Sequence, residues 1–219
     1  MESENRSRLQ RLTDFFQEVG MLRHTPRTGY QFLGSGRESV AEHSYRTAII
    51  GYALARLCGA DPRRTALICL FHDLGEARTG DLNYVNQRYV QADERRAVSD
   101  AVEGTGIERE LLAFWDEHEA GRSEEASLEG RVARDADQLD LILNLKREWD
   151  LGNPYAERWL RTAMERLRLD QSRELAEVIA TTDHGAWWFL SADKAWWVDR
   201  KRSEQEGWTP LQPSAKQKG

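Results

Sequence analysis

The sequence predicts an all-α protein, and three observations support this prediction. Apolar residues recur at helical spacing in successive segments, several segments begin with helix-capping residues, and no stretch alternates with a period of two for long enough to require a sheet. With 219 residues, of which 40% are hydrophobic and 31% charged, the chain is long enough to bury one core without disulfides. We therefore expect one helical domain over residues 1–185, followed by a helical, Trp-rich extension and polar tail over residues 186–219.

Helical spacing and capping signals place the first three helices. The first is expected over residues 9–19, where Leu9, Leu12, Phe16 and Val19 recur at helical spacing, and a loop rich in Gly, Ser, Thr and Arg follows it. Ser39 begins the second, because Glu42 three residues later completes a capping box, and this helix ends near Gly59. Asp61-Pro62 combines an N-cap with a first-turn proline and begins a third helix that ends before Gly80.

The second half of the chain continues the helical pattern. Thr105, with Glu108 in capping-box register, is expected to introduce one helix, and Asn153-Pro154 another. Helices are expected over residues 93–103, 108–118, 131–150, 154–167 and 175–181.

Composition and charge argue against several classes of protein. A formal net charge of -6 is unfavourable for a broad nucleic-acid surface, and no apolar run is long enough to span a bilayer. Cys58 and Cys69 lie beside apolar residues, which indicates reduced, buried thiols rather than a disulfide framework. The polar N-terminus MESENRSRLQR lacks the apolar segment of a signal peptide, so we expect a cytoplasmic protein with neither a nucleic acid polymer nor a membrane as its partner.

The segment FHDLGEARTGD, residues 71–81, places polar groups at the end of the third helix. His72 and Asp73 point about 100° apart around a helix, so both can reach an ion that lies between their directions. Glu76 shares their side of the helix, where its carboxylate can lie near water bound to that ion. The alternative is an ordinary polar helix end that faces water.

His43 favours the metal site over that alternative. It lies in the first turns of the second helix, and antiparallel packing of two helices joined by a short turn brings the start of one beside the end of the next. We therefore expect His43 near His72. A histidine that is hydrogen-bonded in the core or at the surface would fit the pattern of residues around His43 equally well.

Three segments in order, ESVAEHS, HDLGEARTGD and RVARDADQLDLIL, resemble the HD-domain metal-dependent phosphohydrolases, whose pattern is H…HD…D. The similarity is closest to their YfbR-like 5'-deoxynucleotidase branch and includes LRHTPRTG upstream. It implies an HD-domain helical bundle and one divalent transition metal (Mn, Co, Fe, Zn or Ni) held by His43, His72, Asp73 and Asp137. Asp135 and Asp140 compete on the same helix, but alignment of DADQL with the last family motif selects Asp137 and leaves the other two as solvated or outer groups.

The same resemblance implies how a substrate would be handled. Glu76 and Asp73 are the expected catalytic residues, with Glu76 activating the attacking water or managing its proton. Asp81 would lie near the sugar hydroxyls, and Arg27 would contact the phosphate. Asp81 could instead cap the next segment, and Arg27 could be an ordinary loop charge, since Arg23 and Arg37 lie in the same loop.

The implied reaction is hydrolysis of (deoxy)nucleoside 5'-monophosphates to nucleoside and phosphate by a homodimeric enzyme. The alternatives are a phosphodiesterase or pyrophosphohydrolase that acts on another nucleotide, and a non-catalytic HD scaffold that binds metal. His118 is expected to be a helix-end histidine, although some HD proteins recruit histidines from this interval for a second metal. Trp149 and Trp159 are expected in the core, and the two AWW segments, at residues 186–188 and 195–197, are expected to pack the extension onto the core or a partner subunit.

Overall fold

Helices account for most of residues 2–189, the part of the chain that the computed structural model describes. Within this range the only β-type pairing is an isolated bridge between Pro26 and Ser39. The all-α prediction is confirmed. The α-helices are α1 (Glu2–Val19), α2 (Val40–Cys58), α3 (Pro62–Phe71), α4 (Glu76–Thr79), α5 (Glu94–Val102), α6 (Glu108–Ala120), α7 (Leu128–Asp150), α8 (Pro154–Met164), α9 (Asp170–Thr181) and α10 (Ala186–Phe189). Short 3-10 helices cover Gly20–His24, Thr28–Phe32 and Asn86–Arg88.

The chain divides into two compact units, Met1–Ala180 and Thr181–Gly219. In the second unit, α10 exposes Trp187 and Trp188. The second AWW segment and the polar tail lie outside the described residues, so the role of the Trp-rich extension and its boundary at residue 185 stay predictions. None of the described helices combines the length and apolar character that a membrane span needs.

Local hydrogen bonds fix the starts of α2 and α3 as predicted. The Ser39 hydroxyl accepts from the backbone N–H of Glu42, and the Glu42 carboxylate accepts from the backbone N–H of Ser39 at 2.7 Å. The Asp61 carboxylate accepts from two first-turn N–H groups, and Pro62 occupies the first turn. Gly59 ends α2 with a φ of 75°, a left-handed conformation that glycine adopts without strain.

Several predicted helix boundaries are wrong. Helix α1 begins at Glu2 rather than at residue 9, and α9 begins at Asp170 rather than at residue 175. The third helix does not continue towards Gly80: α3 ends at Phe71, residues 72–75 form a turn, and α4 begins at Glu76. Thr105 does not cap α6, because its hydroxyl donates to the Val102 carbonyl at 2.6 Å and Ile107 takes the N-cap position without a side-chain bond.

The main core lies among α2, α3, α7 and α8, where Leu54, Ile68, Leu139 and Leu160 are almost fully buried. The helices α2 and α3 cross closely at Gly51, where an added Cβ would lie 2.5 Å from Cys69 Sγ. Only residues 59–61 join these two helices, so the start of α2 lies beside the end of α3. Helix α7 packs against both, and this arrangement positions the site.

Helices α6 and α7 also approach closely. A Cβ added to Gly121 would lie 2.3 Å from the carbonyl oxygen of Gly130, so glycine is required for this contact. A second cluster of apolar residues, which includes Val98, Val102 and Leu111, fills the space among α1, α5 and α6.

Candidate metal centre and substrate cavity

Four predicted ligand side chains converge at one point. His43 Nε2 on α2 lies 3.2 Å from His72 Nε2 at the end of α3, and 3.2 Å from Asp137 Oδ1 on α7. Asp73 Oδ2 lies 3.1 Å from His72 Nε2 and 3.5 Å from His43 Nε2. Donor atoms that share one ion at about 2.1 Å are separated by roughly 3.0–3.4 Å, so this donor set fits a divalent transition metal.

Hydrogen bonds behind the two histidines determine which nitrogen faces the site. His72 Nδ1 lies 2.6 Å from the Cys69 carbonyl, and because a carbonyl can only accept, Nδ1 carries the proton. His43 Nδ1 lies 2.7 Å from Oδ2 of Asp140, a buried carboxylate that is also paired with Arg46. Neutral rings in these tautomers direct two Nε2 lone pairs at each other across 3.2 Å. The repulsion between these lone pairs is relieved by a proton on one of the two nitrogens or by a metal cation bound to both.

The charges of the cluster are strongly coupled. Burial and Arg27 lower the pKa of His43, but hydrogen bonds to Asp137 and Asp140 outweigh them and raise it to about 10. Burial alone would raise the pKa values of Asp73 and Asp137, yet the neighbouring histidines hold both well below the usual range. Both carboxylates are therefore ionised at neutral pH, the state in which they can bind a metal.

Glu76, the first residue of α4, is 9% exposed and lines the same cavity. Its Oε2 is buried and has no hydrogen-bond partner in the described part of the chain. Burial and the negative charge of Asp73 raise the pKa of Glu76 to about 10, so with no cation bound its carboxyl group holds a proton at neutral pH. A buried acid that faces a cavity can orient water and exchange a proton with a ligand.

Arg27 and Asp81 form an ion pair at the edge of the site. Arg27 Nη1 donates to Asp73 Oδ2 at 3.2 Å, and its Nε lies 3.9 Å from Asp81 Oδ2. The same Asp81 oxygen accepts from the backbone N–H of Thr28 at 2.7 Å. Arg27 and Asp81 both line the cavity, whereas the rival loop arginines Arg23 and Arg37 line two other surface depressions.

Asp135 and Asp140 are buried, so the expectation that they could be solvated is wrong. Asp135 accepts from the backbone N–H groups of Arg168 and Leu169 and stabilises the segment between α8 and α9. Asp140 lies one helical turn beyond Asp137 and supports His43 from behind. Sequence spacing could not separate these roles, because both depend on contacts with distant segments.

His118 lies in the last turn of α6, as predicted, and its side chain is buried there. Its side chain is 3% exposed, and its ring centroid lies 4.6 Å from that of His72. Its Nε2 has no hydrogen-bond partner among the described residues. The sequence contains a signal for this burial, because the spacing of Leu111, Trp115 and His118 places the histidine on the buried face of the helix.

Comparisons with known proteins agree with the fold and the motifs. A family model described as "HD domain" matches residues 19–178. The 5'-deoxynucleotidase HDDC2 of Mus musculus is 29% identical over 148 residues, which cover 65% of this chain and 72% of the mouse protein. A 5'-deoxynucleotidase of Erwinia tasmaniensis is 31% identical over 133 residues, which cover 53% of this chain and 64% of the bacterial protein.

A solved structure has a similar fold. The structure of a conserved hypothetical protein from Pyrococcus furiosus superposes with a TM-score of 0.62 and 30% identity, covering 76% of this chain and 96% of that protein. The family match covers most of this chain and contains all the segments that carry the H…HD…D pattern. The chain belongs to the HD-domain family.

Proposed function

We propose that this protein is a metal-dependent 5'-deoxynucleotidase that hydrolyses deoxynucleoside 5'-monophosphates to nucleoside and phosphate. One observation carries the proposal: each donor atom of His43, His72, Asp73 and Asp137 lies within 3.5 Å of another donor of the group, beside a cavity that Arg27 and Asp81 line. The names of the mouse and Erwinia relatives support this substrate class. A divalent ion held by the four side chains would neutralise charge on the phosphoryl oxygens and lower the pKa of water.

The acidic residues would divide the remaining work. Asp73 accepts from Arg27 and lies between the two histidines, so it orients the arginine while it contributes a donor to the centre. Glu76 has a buried oxygen with no partner among the described residues, which suits it to hold the attacking water or to exchange a proton with it. Attack on phosphorus then releases the nucleoside without a covalent enzyme intermediate.

Arg27 and Asp81 would place the substrate. Arg27 is half-buried and charged at any physiological pH, and its guanidinium can pair with a phosphate dianion. Asp81 lies next to it through the Thr28 backbone, at a suitable position to accept hydrogen bonds from sugar hydroxyls. The identity of the metal, the homodimeric state and the cytoplasmic location stay predictions.

The test is phosphate release by the Mn²⁺- or Co²⁺-loaded protein from a panel of ribo- and deoxynucleoside monophosphates. We expect deoxynucleoside monophosphates to yield nucleoside and free phosphate. His72→Ala should abolish release, whereas His24→Ala, which changes an exposed histidine outside the cavity, should retain it. Metal-loaded protein that is inert across the panel would refute the substrate assignment.

Product analysis separates the rival activities. Hydrolysis of a cyclic nucleotide to a monophosphate, or release of pyrophosphate, would instead indicate the phosphodiesterase or pyrophosphohydrolase alternative. Tight metal binding without turnover of any nucleotide would favour the non-catalytic scaffold.

A further inference from the structure

The cavity that contains the metal centre has a second, aromatic part. Trp159 of α8 and Tyr84, three residues after Asp81, both line it. Their rings meet edge to face, with centroids 6.3 Å apart and an interplanar angle of 66°. The cavity thus combines charged groups, among them Arg27 and Asp81, with two aromatic side chains.

Trp159 is held in place rather than loosely exposed. Its six-membered ring lies against Gly29, where an added Cβ would be only 2.9 Å from Trp159 Cη2. Gly29 follows Thr28, whose backbone is bound to Asp81, so the loop that carries Arg27 packs directly on the indole. The expectation that Trp159 is only core material is therefore incomplete, because this residue is half-buried and also forms part of the cavity surface.

Tyr84 is fixed by a different element. The Arg166 guanidinium lies 4.9 Å above the Tyr84 ring and also donates to its hydroxyl. A cation over the ring and an indole at its edge restrict the ring without covering all of it, since Tyr84 remains 46% exposed. The two aromatic side chains form a rigid wall that needs no rearrangement to receive a flat ligand.

We propose that Trp159 and Tyr84 form the nucleobase subsite. This inference rests on the proposed function, since it assumes a nucleoside monophosphate with its phosphate at Arg27 and its sugar at Asp81. A nucleotide combines the same kinds of groups as the cavity lining, since it has a charged phosphate, a polar sugar and an aromatic base. Every base has a π-face, and contact of this face with the wall would add affinity that does not depend on the metal.

The experiment compares dAMP with deoxyribose 5-phosphate, which lacks the base, in metal-loaded wild-type protein and Trp159→Leu. Loss of one base–aromatic contact is expected to lower kcat/KM for dAMP by roughly 5- to 150-fold, mainly through KM. The value for deoxyribose 5-phosphate should stay within about twofold. Trp149→Leu is the matched control, because Trp149 is a half-buried tryptophan outside the cavity, beneath Lys146. This control should leave the ratio of the kcat/KM values for the two substrates unchanged.

Gly29→Ala provides a second variant in case Trp159→Leu does not fold. Its new Cβ would shift the indole of Trp159 out of position, although the tryptophan itself is still present. Binding of the product deoxyadenosine, followed by calorimetry, tests the subsite without turnover and should weaken in both variants. The inference is overturned if Trp159→Leu lowers kcat/KM equally for both substrates. It is also overturned if wild-type protein has the same kcat/KM for dAMP and for deoxyribose 5-phosphate. Wild-type protein that releases phosphate from neither dAMP nor any other monophosphate of the panel refutes the proposed function, and the deoxyadenosine titration still tests the subsite.

Discussion

Replacing Asp140 should weaken metal binding although this residue does not face the proposed ion. Its carboxylate accepts from His43 Nδ1 at 2.7 Å, and both side chains are almost completely buried. Removing the acceptor leaves a buried N–H whose lost partner costs about 1–3 kcal/mol. Loss of such an outer partner weakens metal affinity by about 10- to 100-fold. We expect the loss of metal affinity to be about 100-fold for Asp140→Ala and about 10-fold for Asp140→Asn, since asparagine retains an acceptor but not the charge.

The assay is a Co²⁺ titration of metal-free protein, followed by visible absorption or calorimetry. Asp135→Asn is the control, because Asp135 is equally buried on the same helix but bonds only to backbone N–H groups of Arg168 and Leu169 among its described partners. This control should lower the melting temperature and leave the dissociation constant unchanged. The reasoning is refuted if Asp140→Ala binds Co²⁺ as tightly as wild-type protein, or if both aspartate variants lose affinity equally.

Three further predictions concern protons, catalysis and packing. Because the pKa of His43 is raised to about 10 without metal, its ring is protonated below that pH and must lose the proton to bind an ion. Metal affinity should therefore rise with pH towards this value, and calorimetry in buffers of different ionisation enthalpy should detect at least one proton released per ion, with Glu76 able to contribute a second; no release would contradict the raised pKa of His43. Glu76→Gln, which imitates the protonated carboxyl, should reduce phosphate release by roughly 10²- to 10⁴-fold with little change in Co²⁺ affinity, and unaltered turnover would exclude Glu76 from the chemistry. Gly121→Ala places a Cβ 2.3 Å from the Gly130 carbonyl oxygen and should lower the free energy of unfolding in urea by roughly 1–3 kcal/mol. Gly20 has open space around it, so Gly20→Ala should leave the free energy of unfolding unchanged. Equal stability of the two variants would contradict the close contact between Gly121 and the Gly130 carbonyl.

The sequence predicted features that depend on local hydrogen bonds. The capping box at Ser39 and the Asp61-Pro62 start of α3 involve residues within one helical turn, so the pattern of residue types was sufficient. Thr105 shows the limit of such patterns, because its hydroxyl donates to the Val102 carbonyl and does not cap α6. The meeting of His43 with His72 was also predictable, since a short turn between two helices fixes which ends are adjacent.

Contacts between elements that are far apart in the sequence could not be predicted from local residue patterns. The support that Asp140 gives His43 depends on how α7 lies against α2, and no spacing within α7 distinguishes this aspartate from Asp135. The position of Trp159 beside Gly29 likewise brings together residues from distant parts of the chain. Side chains of the same type thus acquire different roles through tertiary packing.

The hydrogen bond between His72 Nδ1 and the Cys69 carbonyl links the proposed metal centre to the end of α3. An ion on Nε2 withdraws electron density from the ring, which makes the Nδ1–H group a stronger donor to that carbonyl. The last turn of α3 should then open less often, and its amide hydrogens should exchange more slowly with solvent when metal is bound. Occupancy of the centre would thus be detectable in the backbone of a helix that itself contributes no ligand to the ion.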